Sequence, residues 1–162
     1  MSTPAWIRNA DASAQVVLRD EAATLELGRR IAARLRPGVR IYLHGDLGAG
    51  KTTLVRGILR GLGHAGRVKS PTFTLLETYA VSSLYLYHFD FYRLKAPDEW
   101  RDAGFREAFS EEGICVVEWP EKAAGLPPAD LSVHLTHAAS GRLVRLVAQG
   151  AWGAACLASV CM

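Results

Sequence analysis

Gly45-Asp46-Leu47-Gly48-Ala49-Gly50-Lys51-Thr52-Thr53 decides how the rest of the chain is read. Within it, Gly45-x-x-x-x-Gly50-Lys51-Thr52 fits the P-loop pattern at every fixed position. The phosphates of a nucleotide carry several negative charges and need many donors in a small space. Glycine lets the backbone curl until successive N–H groups point inward. A helix that begins at such a loop adds its own free N–H groups and the positive end of its dipole. Lys51 supplies a full charge toward the β- and γ-phosphates. The Thr52 hydroxyl suits Mg²⁺, a hard ion that prefers oxygen. From average residue usage, a chance match arises on the order of one time in a hundred chains of this length.

The flanks agree with the loop. Val39, Ile41 and Leu43 alternate with Arg40 and Tyr42, which predicts a strand running into Gly45. Leu54, Val55, Ile58, Leu59 and Leu62 then form the apolar face of a helix that Gly61 and Gly63 close. Upstream, residues 1–15 read as a loose start and Val16-Val17-Leu18 as a short strand. Asp20 is a helix N-cap with Glu21 in the first turn. Leu27, Ile31 and Leu35 repeat at helical spacing until Pro37-Gly38 stops the helix. Downstream, Phe73–Ala80 and Leu84–Phe91 read as strands, and Pro97-Asp98-Glu99 as a helix start weakened by Gly104. Ile114-Cys115-Val116-Val117 has the continuous apolar character of a buried parallel strand. Leu131–Thr136 and Leu143–Val147 form a hairpin around Ser140-Gly141. The tail from Trp152 to Met162 fits a packed terminal helix and an untidy end equally. Strands alternating with helices place the chain in the α/β class.

The 162 residues are enough for one domain with its own core. A net charge of +3 is too small to argue for nucleic-acid binding, and the basic residues are dispersed. Lysine occurs at only four positions (51, 69, 95 and 122), which makes the one inside the glycine-rich loop more conspicuous. Three cysteines (Cys115, Cys156, Cys161), with no Cys-x-x-Cys and no histidine beside them, argue against a disulfide framework or a zinc site. No signal peptide and no stretch long enough to span a membrane are visible, so the expected compartment is the cytoplasm.

A P-loop enzyme also needs an acid to hold the metal or its waters, usually at a neighbouring strand end. Glu118 closes the apolar run Ile114–Val117, and Asp90 closes Leu84–Phe89. His88 and Asp90, two residues apart, share one face of their strand. Taken alone, His88 reads as a packed histidine and Trp119 as a core residue. Ser70-Pro71-Thr72 reads equally as a plain turn and as a loop that senses the γ-phosphate.

Four blocks occur in order: Gly45–Thr53, Ser70-Pro71-Thr72-Phe73, His88-Phe89-Asp90-Phe91-Tyr92-Arg93-Leu94 and Val117-Glu118-Trp119-Pro120-Glu121. From about Asp20 to Arg142, this arrangement resembles the bacterial TsaE (YjeE) family. Its members are ATPases required for making threonylcarbamoyladenosine in tRNA. The resemblance implies a P-loop NTPase-like three-layer sandwich with a mainly parallel central sheet and an antiparallel hairpin extension. The chain reads as a single domain over residues 1–162, with a loose start at 1–15 and with 150–162 left open between a loose end and a packed helix. The resemblance also implies roles. Leu47, Gly48, Ala49, Gly50, Lys51, Thr52 and Thr53 would bind the phosphates of ATP, and Thr52 with Glu118 would hold Mg²⁺. Asp90 would lie beside the γ-phosphate as a catalytic or water-ordering acid, with Lys51 and Glu118 as the other catalytic groups. Trp119 would lie close to the nucleotide, and Glu21 and Arg142 would be further nucleotide contacts. The implied partners are the TsaD–TsaB pair, in which TsaD carries out the threonylcarbamoyl transfer. ATP hydrolysis, weak in the chain alone, would reset that assembly. Direct contact with tRNA is left open. No family pattern covers the tail after Gly150.

Two rivals share the loop. A small-molecule kinase would need an acceptor site and an arginine-bearing lid, for which Arg93, Arg101 and Arg106 are available. A guanine-reading switch would use Asn-Lys-x-Asp, yet the only asparagine is Asn9. Gln15 and Gln149 are the only glutamines, so none sits where a Ras-like mechanism needs it. A third reading is a module that keeps ATP without hydrolysing it.

Overall fold

A computed structural model describes residues 4–110 and 112–162. The first strand, β1 (Ile7–Arg8), leads into β2 (Ser13–Leu18) and α1 (Glu21–Ala32). Then come β3 (Arg40–His44), α2 (Lys51–Gly61), β4 (Leu76–Val81) and β5 (Leu84–Asp90). A short α3 (Glu99–Asp102) and a 3₁₀ turn (Phe105–Phe109) precede β6 (Gly113–Glu118). The chain ends with β7 (Leu131–His137), β8 (Arg142–Ala148) and α4 (Gly150–Val160).

The eight strands form one sheet in the order β1-β2-β8-β7-β3-β6-β5-β4. Its centre is parallel: β3 pairs with β7 on one side and β6 on the other, and β6 pairs with β5. All outer pairings are antiparallel. The expected hairpin β7–β8 is present, but the antiparallel extension is larger than that hairpin. β8 also pairs with β2, and β2 with β1. The loose start expected over residues 1–15 is therefore corrected for residues 4–15, which hold β1 and the beginning of β2. Residues 1–3 lie outside the described residues. The open choice at the tail resolves to a packed helix, with Cys156, Leu157 and Val160 buried.

Alternation along the strands sorts the core into two layers. Ile41, Leu43, Ile114, Val116 and Leu86 face α1, α2 and α4. Tyr42, Cys115, Val117 and Phe89 face the opposite side. There Phe89 stacks on Phe109 with centroids 5.1 Å apart, and Trp100 meets Phe109 edge-on. The result is the three-layer α/β sandwich. Two boundaries move from their expected places. The strand expected at Phe73–Ala80 begins only at Leu76, because residues 72–74 form a turn and leave Phe73 exposed. α1 stops at Ala32, five residues before Pro37.

Helices α1 and α2 touch backbone to backbone. A Cβ added at Gly57 would lie 2.5 Å from the Leu25 carbonyl oxygen, and one at Gly28 would lie 2.7 Å from the Ile58 nitrogen. Neither neighbour is a side chain that can swing away. Gly57→Ala is therefore expected to destabilise the fold by about 1–3 kcal/mol, although alanine is the better helix former. A denaturation midpoint equal to that of the parent protein would show that the two helices have room to separate.

Candidate functional site

The topology brings the predicted residues together at the carboxyl ends of the parallel strands. Such ends are where open α/β sheets collect ligands. β3 delivers the glycine loop. In the register of β5 with β6, Asp90 stands directly opposite Glu118. Odd–even alternation turns His88, Asp90 and Glu118 toward the α2 side, the same side as Leu86 and Val116. A cleft of about 230 Å³ opens there, lined by Leu47–Thr53, Ser70, Thr72, Asp90, Glu118 and Trp119.

Gly50 is the N-cap of α2 at φ 111°, a left-handed conformation that a side chain would strain. That turn sets Lys51 as the first residue of the helix. Lys51 is 5 % exposed. Its Nζ donates to the Gly45 and Asp46 carbonyls and lies 4.1 Å from the centroid of the Trp119 ring. Burial lowers its pKa, while the acids Glu118, Asp90, Glu121 and Asp46 pull it back up. Trp119 itself has φ 56° and precedes a proline, a doubly disfavoured backbone state that costs about 1–3 kcal/mol. That turn directs the ring back over the loop. Trp119 packs half-buried against the aromatic core, as read, and on Tyr92 at 5.0 Å, and it also forms part of the cleft wall.

The acids are buried at 3–4 % exposure, and among the described residues no lysine or arginine forms an ion pair with either. Glu118 accepts from the Thr52 hydroxyl at 3.3 and 3.2 Å and lies 2.6 Å from His88 Nε2. Asp90 accepts from the Tyr92 amide at 2.9 Å and from the Thr72 hydroxyl at 3.2 Å. Ser70 and Thr72 are joined at 2.7 Å. Burial raises the Asp90 pKa; the bond from the Tyr92 amide opposes this and the neighbouring Glu118 charge adds to it. This carboxylate is therefore a better proton acceptor than an exposed one.

Two buried carboxylates side by side, with no lysine or arginine ion pair among the described residues and only a histidine on one of them, suit a cation. Thr52, Glu118 and Asp90 offer only hard oxygen, the donor set that suits Mg²⁺. Among the described residues no group of three or more His, Cys, Asp or Glu forms a complete metal cage. A Mg²⁺ here would need phosphate or water oxygens as well, which is the usual manner of that ion. The residues fit the group.

Two predicted contacts stand outside the cleft. Glu21 pairs with Arg56 of α2 at 3.2 Å on the surface. Arg142 donates from Nε to the Ala49 carbonyl at 3.0 Å and from a terminal nitrogen to the Gly48 carbonyl at 3.1 Å. It therefore grips the outer side of the loop. His44, just before Gly45, stacks on His134 at 4.4 Å, and burial lowers both imidazole pKa values. Of the arginines available for a kinase lid, Arg101 and Arg106 line a different cleft with Trp100 and Phe109. Arg93 lies over the Phe73 ring at 4.4 Å.

Comparison with known proteins gives a consistent result. Residues 18–144 match the model of the family described as "Threonylcarbamoyl adenosine biosynthesis protein TsaE". The chain is 46 % identical over 136 residues to a tRNA threonylcarbamoyladenosine biosynthesis protein TsaE of Haemophilus influenzae, covering 80 % of this chain and 86 % of that protein. It is 42 % identical over 123 residues to the protein of the same name from Synechocystis, covering 71 % and 75 %. The crystal structure of Bacillus subtilis YdiB superposes with a TM-score of 0.73 at 28 % identity, over 99 % of this chain and 97 % of that one. Among the described residues no helix is long and apolar enough to cross a membrane.

Proposed function

The chain belongs to the TsaE family, and from that membership we propose that it is a Mg²⁺-dependent ATPase serving the formation of threonylcarbamoyladenosine in tRNA. The observation that carries the ATPase reading is one convergence. Lys51, Thr52, Asp90 and Glu118 meet around a glycine loop at the ends of three adjacent strands. The reaction is attack by water on the γ-phosphoryl group of ATP: a P–O bond to water forms as the bond to ADP breaks. The loop N–H groups and Lys51 meet the negative charge on the phosphate oxygens. Asp90 orders the water and receives its proton. Thr52 and Glu118 would hold Mg²⁺, which supplies charge stabilisation on the phosphate oxygens when bound.

The cytoplasmic TsaD–TsaB pair is the partner in this reading, and threonylcarbamoyl transfer belongs to that pair. Nucleotide-dependent docking on the pair, followed by hydrolysis, would reset it between turnovers. The test is a reconstituted tRNA modification reaction: omitting this chain should leave little product beyond the first turnover. Sustained product without it would refute the assignment.

ATP should be preferred over GTP, since the chain lacks a guanine-reading Asn-Lys-x-Asp. In a displacement assay GTP is expected to compete at least about tenfold more weakly; equal competition would contradict the preference.

Arg142→Ala should weaken nucleotide binding about tenfold, since two charge-assisted bonds to the loop are lost. Arg142 grips the loop rather than facing the cleft, so ATP and ADP should lose affinity alike. A loss confined to ATP would instead make it a γ-phosphate contact.

A further inference from the structure

His88 is fully buried in β5, and its Nε2 lies 2.6 Å from Glu118 Oε2. Its Nδ1 is buried and has no hydrogen-bond partner among the described residues. A buried polar atom left unpaired carries a cost and needs an explanation. Packing does not supply one, because a leucine would occupy similar space with no orphaned nitrogen. What histidine provides here is a donor aimed at one oxygen of Glu118. The sheet register explains the reach. His88 lies opposite Val116 and Asp90 opposite Glu118, so the imidazole sits one step below the carboxylate on the same face.

The second partner of Glu118 does not orient it. The Thr52 hydroxyl lies 3.3 Å from Oε1 and 3.2 Å from Oε2, almost equidistant and long. The His88 bond is short and selects Oε2. Without it, the flexible Glu118 side chain would be held by that one weak, symmetric contact. We infer that His88 is a positioning residue, whose Nε2–H fixes the Glu118 carboxylate in the orientation that serves Mg²⁺ beside Thr52. This rests on the reading of Glu118 as the metal-holding acid. Hydrogen bonds to a ligating group commonly change metal affinity by about 10–100-fold.

The test measures binding of a non-hydrolysable ATP analogue across a Mg²⁺ titration, with a parallel binding measurement in EDTA and a thermal melt. His88→Leu should keep analogue affinity in EDTA within about threefold, yet need about 10–100-fold more Mg²⁺ at the midpoint. His88→Gln places an amide donor near the position of Nε2 and should restore the midpoint to within about threefold. His88→Asn places its amide near Nδ1 instead and should behave as His88→Leu does. If the leucine variant does not fold, the glutamine and asparagine variants carry the comparison. A midpoint unchanged in His88→Leu, or no better in His88→Gln than in His88→Asn, would overturn the role of His88 alone. Analogue binding by the parent protein that ignores Mg²⁺ would overturn the metal reading of Glu118, and this inference with it.

Discussion

Replacing Lys51 by alanine is expected to remove most ATP affinity or turnover. The ammonium is buried at the mouth of the loop and is held by two carbonyls and an aromatic face, with no ion pair to an acid among the described residues. Carbonyls and a ring yield to a phosphate far more readily than a carboxylate would. The charge is thus stored where it can transfer to a ligand at little cost. Loss of a buried, hydrogen-bonded charge from a complex costs about 2–5 kcal/mol, which is about 30- to 5,000-fold in affinity. Hydrolysis by Lys51→Ala at the rate of the parent protein would show that the glycine loop is not the site. A thermal melt close to that of the parent would assign the loss to binding rather than to folding.

Glu118→Ala should act on a different step. The acid lies at the end of β6 beside Thr52, beyond the loop N–H groups that would take the phosphates. Nucleotide affinity in EDTA should change only a few-fold, while Mg²⁺-dependent hydrolysis should fall on the order of 100-fold. The contrast with Lys51→Ala is the informative part, since one variant loses the ligand and the other the benefit of the metal. Equal response to Mg²⁺ in Glu118→Ala and the parent protein would move the metal to Asp90, the other buried acid in the cleft among the described residues.

The chemistry was more legible in the sequence than the edges of the fold. The glycine loop is local: its spacing, the alternating strand before it and the apolar face after it lie within about twenty-five residues. Asp90 and Glu118 were legible because an apolar run ending in an acid marks a strand end, and the register sets them side by side. Residues whose partners are remote in sequence were not legible. Nothing near His88 shows that its ring will meet an acid 30 residues away. The left-handed turn at Trp119 gives no local signal, so the ring reads as core and its share in the cleft wall does not show. Arg142 reads as a nucleotide contact only through the family resemblance, and its reach to the loop 93 residues away depends on how β8 crosses the sheet.

The ends failed for other reasons. β1 is two residues long, too short for any period to show. In α4 the buried positions Gly153, Cys156, Leu157 and Val160 are helically spaced. The residues between them are mostly small and apolar too, so no stripe stands out. Phe73 carries the apolar character of a strand but lies in an exposed turn under Arg93. Its placement follows from the loop that carries Thr72 to Asp90.

The central claim is best tested by ATP hydrolysis of the purified protein with Mg²⁺, first alone and then with the TsaD–TsaB pair. The expected result is slow hydrolysis that rises when the pair is added, with the rise absent in Lys51→Ala. No change in rate, together with no binding between this protein and the pair, would contradict the account and direct the search to a metabolite that accepts the γ-phosphoryl group.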